Sequence, residues 1–130
     1  MASIRKEISL SCTPQHAWEA FADVGAIHTR LAPGFVTDVR MEGDARVVTF
    51  ANGLVARELI VDVDHAARRL AYAIIDGRPR FHSASFQVFD DPAGCRVLWL
   101  VDLLPAGLAP AIAGMMDQGM AAMARQLQAA

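Results

Sequence analysis

The sequence is poor in the features that mark several common protein classes. Charged residues make up only 20% of the 130 residues, and the net charge is −2, which argues against holding a nucleic acid by bulk positive charge. Intrinsic disorder is excluded because 54% of the residues are hydrophobic. The longest charge-free segment, Leu103 to Met116, is too short and too interrupted by proline and glycine to span a bilayer. With charges at positions 5–7, where a signal peptide needs an apolar segment, we expect a cytoplasmic protein with a single domain over residues 1–130.

Cysteine and recognisable catalytic motifs are also scarce. The two cysteines, Cys12 and Cys95, have no CxxC or metal-ligand spacing, and we expect them to be reduced thiols. There is no HExxH, GxSxG, GxGxxG or GK[ST] motif, so zinc hydrolysis, a serine nucleophile and a phosphate-binding loop are unsupported. Asp62, Asp64 and His65 flank a predicted turn, where solvated polar residues are common. We therefore predict no metal and no cofactor.

Hydrophobic periodicity predicts the order of the secondary structure. Residues 4–10 alternate as a half-buried strand, and Thr13-Pro14 is a typical helix start before two short helices. Six alternating runs with short breakers follow over residues 35–104, which indicates an antiparallel meander. Apolar residues then recur every three or four positions over residues 108–127, as in a long amphipathic helix. The pattern predicts an α+β fold in which a seven-stranded, curved antiparallel sheet wraps around the C-terminal helix.

Several local motifs occur along this chain in the order found in one known superfamily. They are Thr13-Pro14-Gln15-His16-Ala17-Trp18, Leu31-Ala32-Pro33-Gly34, Asn52-Gly53 with Glu58, Asp62 to Asp64, Arg69-Leu70 with Tyr72, Pro79 with His82, Val97 with Trp99, and Gly119 with Met123. In this order they resemble the START-like, helix-grip superfamily, also known as SRPBCC or polyketide cyclase/dehydrase. The resemblance covers essentially the whole chain. It implies a deep cavity between the sheet and the terminal helix that holds an apolar small molecule, but not which molecule.

Alternation sorts the strands into two faces. In the strand near residue 58, composition alone favours an inward row containing Leu59, whereas the resemblance implies that Glu58 faces the cavity, in a row with Ile60 and Asp62. A one-residue error would exchange Glu58 for Arg57. In the last strand, the row with Trp99 and the row with Leu98 and Leu100 are both apolar, and the choice stays open.

The resulting cavity has three polar candidates on an apolar wall. His82 is a candidate acid or base, Glu58 a buried carboxyl that shares a proton, and Tyr72 a donor to a carbonyl or phenolate oxygen. The residues predicted to contact the ligand are Ile60, Ile74, Ala84, Phe86, Trp99, Met116, Met120 and Met123. Each candidate also has a purely structural interpretation. His82 can be a buried histidine with satisfied hydrogen bonds, and Glu58 can be a carboxylate paired with Arg57 or Arg46. Tyr72 can be a wall residue with a bonded hydroxyl, and the methionines of the helix can be ordinary core.

Three functions remain open at this point. The first is a binding protein for a hydrophobic small molecule; the second is a metal-free cyclase or dehydratase that uses His82, Glu58 and Tyr72; the third is a protein-interaction module with a vestigial cavity. We expect no nucleic-acid partner and no integral membrane association. A row of Leu59, Val61 and Val63 on the outer face suggests a homodimer. In the helix-grip fold the first and last strands are neighbours, so Cys12 should lie near Cys95.

Overall fold

The computed structural model describes residues 2–128. Its elements are strand β1 (Ala2–Leu10), helix α1 (Pro14–Ala22), a π-helical turn (Ile27–Leu31), strands β2 (Val36–Glu42), β3 (Ala45–Phe50), β4 (Val55–Asp64), β5 (Arg69–Ile74), β6 (Phe81–Asp91) and β7 (Gly94–Leu104), a 3₁₀ turn (Ala106–Leu108) and helix α2 (Ala109–Gln128). The strands form one antiparallel sheet in the order β1-β7-β6-β5-β4-β3-β2. The α+β helix-grip fold predicted from the sequence is confirmed.

Helix α1 begins where the sequence predicts it. The Thr13 hydroxyl accepts a hydrogen bond from the amide of His16 at 3.1 Å, and Pro14 occupies the first turn, where its missing N–H costs no helical bond. The inner side of the helix buries Trp18 and Phe21 almost completely. This side packs against β6 and β7, and Phe21 contacts Phe86 of β6 with ring centroids 4.8 Å apart.

Helix α2 covers the concave face of the sheet. Its buried side includes Met116, Met120, Met123 and Leu127, at the spacing expected for one helix face. Gly119 lies at the closest approach, because a Cβ added there would be 3.1 Å from the Phe35 ring and 3.2 Å from the Trp99 ring. The absent side chain at this position therefore sets how closely the helix packs on the sheet.

A bulge in β4 changes which of its residues face inward. Glu58 and Ile60 pair with Ile74 and Tyr72, but the register then shifts, so that Asp62 pairs with Ala71 and Val63 with Leu70. Since Leu70 lies on the inner face, Val63 does too, and it packs partly buried against the core. The predicted rows are wrong beyond Ile60: Asp62 is not on the Glu58 face, and Val63 is not on the outer face. One extra residue inverts the alternation.

The structure resolves the face of β7 that the sequence left open. Trp99 and its row neighbours are buried, whereas Leu100 is 37% exposed on the outer face. The neighbouring pair of β1 and β7 also brings the two cysteines together, as predicted, with their Sγ atoms 3.9 Å apart and both thiols free. Burial, followed by the neighbouring Cys12 thiol, raises the pKa of Cys95 to about 12.

Candidate functional site

A cavity of about 380 Å³ lies between the concave face of the sheet and helix α2. Its walls come from the π-helical turn, from six of the seven strands (β2 to β7) and from α2, mainly its first two turns together with Met123. The loop from Asp76 to Pro79, between β5 and β6, also contributes to the wall. The cavity therefore collects side chains from both layers of the fold.

The cavity brings together most, but not all, of the residues predicted for it. The predicted residues that line it are Glu58, Ile74, Tyr72, His82, Phe86, Trp99, Met116 and Met123. Three others, Ile60, Ala84 and Met120, do not line the cavity. Ala84 and Met120 are 8% and 5% exposed in the packed core, and Ile60 packs partly buried against it. The inner face of the sheet is larger than the cavity, so a residue can lie on that face without lining the cavity.

The sequence prediction missed several lining residues. Arg46 was named only as a partner for Glu58, yet it lines the cavity itself, and Phe35 and Phe50 form an edge-to-face pair 5.3 Å apart in the wall. Arg46 and Phe50 lie on alternate positions of β3, and Arg46 pairs directly with Glu58 in the sheet register. Applying the same period of two to β3 would have found them. Ala111, Ile112 and Met115 in the first two turns of α2 were also missed, because this segment has no polar residue to give a chemical signal.

Arg46 and Glu58 form a buried ion pair in this wall. Arg46 Nε donates to Glu58 Oε1 at 2.8 Å, and the two side chains are only 3% and 8% exposed. Arg46 also donates through Nη1 to the backbone carbonyl of Val24 at 3.2 Å, and its guanidinium lies 5.4 Å from the centre of the Tyr72 ring. Of the two arginines considered as partners of Glu58, the structure therefore has Arg46. The pair adds no net charge to the cavity.

Tyr72 presents its hydroxyl within this cluster. The indole Nε1–H of Trp99 donates to the Tyr72 hydroxyl oxygen at 3.1 Å. Burial, followed by the nearby Glu58 carboxylate, raises the pKa of Tyr72 well above its ordinary value of 10.0. The phenol thus keeps its proton at neutral pH, and no acceptor among residues 2–128 takes that proton.

His82 has one nitrogen committed to the backbone. The paired residues of β5 and β6 end at Tyr72 and Ala84, and beyond them the amide of Ile74 donates to His82 Nδ1 at 3.1 Å. Burial lowers the pKa of His82 below 6.5, which favours the neutral ring. Since an amide can only donate, Nδ1 carries a lone pair and the proton of the neutral ring is on Nε2.

The described part of the chain shows no group of three metal-ligating side chains. His65, which follows Asp62 and Asp64 in the sequence, accepts a hydrogen bond at Nδ1 from Trp18 Nε1 at 3.1 Å. None of the helices within residues 2–128 is long and apolar enough to cross a membrane.

Comparison with known proteins identifies the family. The family described as polyketide cyclase / dehydrase and lipid transport matches residues 1–128, and the chain therefore belongs to it. A comparison with curated protein sequences gave no match.

Solved structures share the fold over nearly the whole chain. An uncharacterised protein from Bacillus thuringiensis superimposes with a TM-score of 0.85 at 13% identity, covering 97% of this chain and 98% of its own. A protein from Thermobifida fusca is 25% identical, with a TM-score of 0.80 and coverages of 98% and 93%. Norcoclaurine synthase from Thalictrum flavum is 18% identical, with a TM-score of 0.74 and coverages of 98% and 84%.

Proposed function

We propose that this protein binds an apolar or aromatic small molecule, such as a lipid or a polyketide-like compound, in the cavity beneath α2. The observation that carries the proposal is a cavity of about 380 Å³ with mainly apolar walls in a chain of only 130 residues. A core packed for stability alone has few voids larger than a water molecule. The apolar surplus in the composition is thus partly accounted for by residues that line a space.

The cavity volume suggests the size of the ligand. Ligand sites usually have volumes of roughly 300–1,000 Å³, and this cavity lies near the lower limit. An apolar cavity of about 150 Å³ is sufficient for benzene, so there is room here for about two to three rings or a short acyl chain. Leu54 and Val55, which line the cavity, are 51% and 61% exposed and give it an apolar rim.

The fluorescence of one tryptophan can report ligand binding. The chain has two tryptophans, and Trp99 lines the cavity whereas Trp18 lies outside the lining and bonds to His65. In a Trp18→Phe variant, we expect a bound aromatic ligand to change the fluorescence of Trp99. The matched control is a Trp99→Phe variant, in which Trp18 should respond little to the same compound.

Native mass spectrometry of the protein purified from its own source provides the second measurement. We expect a co-purified hydrophobic compound, and thermal stabilisation by at least one member of a panel of lipids and polyphenols. Repeated spectra of ligand-free protein, together with no thermal shift and no Trp99 response across the panel, would contradict the binding proposal.

A cyclase or dehydratase is the second candidate, because Glu58, Tyr72 and His82 line the same cavity. Cyclisation with dehydration needs a group that removes a proton and a group that protonates the leaving hydroxyl. His82 Nδ1 already accepts the Ile74 amide and its Nε2 carries the proton, so the base in this candidate is the Glu58 oxygen that Arg46 Nε does not bind. Tyr72 and His82 are then the donors to the leaving hydroxyl. Incubation with a β-polyketone should then yield a product lighter by one water, and Glu58→Gln and His82→Asn should slow its formation. An unchanged mass over many protein equivalents contradicts catalysis but not binding.

The remaining expectations stay predictions. A homodimer has less support than the sequence suggested, because Val63 faces the core, although Val61 is 61% exposed. Sedimentation velocity tests it directly, and a monomer at micromolar concentration would contradict it. A cytoplasmic location and a role as a protein-interaction module also stay predictions.

A further inference from the structure

Two neighbouring side chains in the cavity each have a hydrogen-bond donor for which residues 2–128 provide no acceptor. His82 uses Nδ1 to accept the Ile74 amide, which leaves its Nε2–H as the remaining polar group of a ring that lines the cavity. Tyr72 uses its oxygen to accept the Trp99 indole, which leaves its O–H free to donate. Within residues 2–128, neither proton has a partner in the protein.

The same two side chains lie next to each other. Their ring centroids are 5.9 Å apart, because His82 lies two residues from Ala84, the register partner of Tyr72, and is thus a diagonal neighbour of Tyr72 across β5 and β6. Each donor is also held in place by a hydrogen bond that the same side chain accepts. The Ile74 amide fixes the tautomer of His82, and the Trp99 indole orients the Tyr72 hydroxyl. Donors fixed in this way need little reorganisation when a ligand arrives.

The charges near these donors disfavour an anionic ligand. Within residues 2–128, two arginines line the cavity: Glu58 neutralises Arg46 at 2.8 Å, and Arg78 is exposed in the loop from Asp76 to Pro79, where Asp76 also lines the wall. A second anion buried beside Glu58 would have to share Arg46, which is already paired with Glu58. A buried charge without a partner of its own is costly. The site thus offers two neutral donors on an apolar wall, for which the matching group is a neutral acceptor with two lone pairs.

We propose that Tyr72 Oη–H and His82 Nε2–H together bind one carbonyl oxygen of a neutral, otherwise apolar ligand. The ligand class is therefore a ketone or quinone of about two to three rings rather than a carboxylic acid or a pure hydrocarbon. This inference rests on the proposed binding function and adds the feature by which the cavity selects its ligand.

Three probes of matched shape test the inference on the full chain. Fluorene and 9-fluorenone are planar three-ring molecules that differ in a CH₂ group against a carbonyl, and fluorene-9-carboxylate adds a negative charge. We expect the wild-type protein to bind fluorenone about tenfold more tightly than fluorene, since two neutral hydrogen bonds contribute roughly this much. The carboxylate should bind more weakly than fluorenone.

Two variants remove one donor each. Tyr72→Phe removes only the hydroxyl. His82→Asn retains an acceptor at the position of Nδ1 for the Ile74 amide and removes Nε2–H. Each should reduce the preference for fluorenone over fluorene about threefold, and the double variant should abolish it. Fluorene affinity, measured in parallel, serves as the control for folding and cavity shape.

The infrared carbonyl stretch of bound fluorenone gives an independent reading. It should shift to lower frequency in the wild-type protein, relative to fluorenone in an alkane, and return towards the alkane value in each variant. Equal affinity of wild type for both probes, an unshifted carbonyl band, or a preference that persists in the double variant would overturn the inference while leaving ligand binding intact. Failure of all three probes to bind would count against the proposed function as well.

Discussion

The buried Arg46–Glu58 pair provides the most demanding test of how this cavity is built. Breaking it from one side leaves a charge in the wall without its partner. Glu58→Leu removes the carboxylate that receives the Arg46 Nε hydrogen bond, Arg46→Met removes the guanidinium, and the double variant replaces both with apolar side chains of similar length. Comparing the three variants isolates the energy of the pair from that of the two side chains.

The magnitude follows from the burial of both groups. With side chains 3% and 8% exposed, neither ion is well solvated, and removal of one partner from such a pair typically costs about 3–5 kcal/mol. The adjacent cavity gives the remaining charge some access to water, so the lower end, about 3 kcal/mol, is expected for each single variant. The double variant should lose less than the sum of the two, because it leaves no unpaired charge. The coupling energy should therefore be at least about 2 kcal/mol.

Urea unfolding followed by far-ultraviolet circular dichroism measures these differences. A slope of about 1–3 kcal/mol/M converts a loss of about 3 kcal/mol into a midpoint lower by roughly 1–3 M. Glu58→Gln is the matched control, because the amide oxygen can still accept from Arg46 while the charge is lost, and it should cost less than Glu58→Leu. If the two single effects simply add in the double variant, the two ions do not stabilise each other, and the electrostatic description of the wall is wrong.

Three further predictions concern positions whose surroundings differ sharply. Gly114→Ala, on the exposed side of α2, should stabilise the protein by about 0.5–1 kcal/mol. Gly119→Ala should stabilise it less or destabilise it, because the added Cβ would lie 3.1 and 3.2 Å from two aromatic rings. Equal stabilisation by both variants in thermal unfolding would refute this close packing. Because the folded pKa of His82 is lowered from 6.5, the unfolded chain takes up a proton below pH 6.5 that the native ring refuses. Stability should therefore fall with falling pH by at most about 1.4 kcal/mol per unit, and His82→Asn should flatten that slope in urea titrations. With the pKa of buried Cys95 raised to about 12, a disulfide reagent should modify one thiol in the native protein and two in urea, and Cys12→Ser should abolish the native reaction; rapid labelling of both native thiols would contradict the burial.

The fold was predictable because its signals are local and repeated. Alternation defined the strands, the Thr13-Pro14 start defined α1, and the spacing of methionines defined the inner face of α2. The β4 bulge was not predictable in this way. A period of two holds only until an extra residue is inserted, and nothing in the run of apolar residues around Val61 marks that insertion.

The sequence predicted which polar residues line the cavity better than it predicted what those residues can do chemically. Glu58, Tyr72 and His82 were placed on one cavity from strand rows and resemblance, but what each one can do depends on its hydrogen-bond partner. Those partners are contributed by other strands: Arg46 from β3, Trp99 from β7, and the amide of Ile74 from β5. Such cross-strand pairs depend on register, which a sequence pattern does not fix to one residue.

These partners also divide the polar groups of the cavity into two kinds. Arg46 and Glu58 satisfy each other, so they support the wall and contribute little attraction for a charged ligand. Tyr72 and His82 are satisfied only as acceptors, and each retains a proton that costs free energy if it stays buried without a partner. An apolar ligand without an acceptor would leave both protons unpaired, whereas water or a carbonyl would not. In the proposed binding function, the two buried donors therefore set which polar group of a ligand is accepted, and the apolar walls contribute mainly affinity.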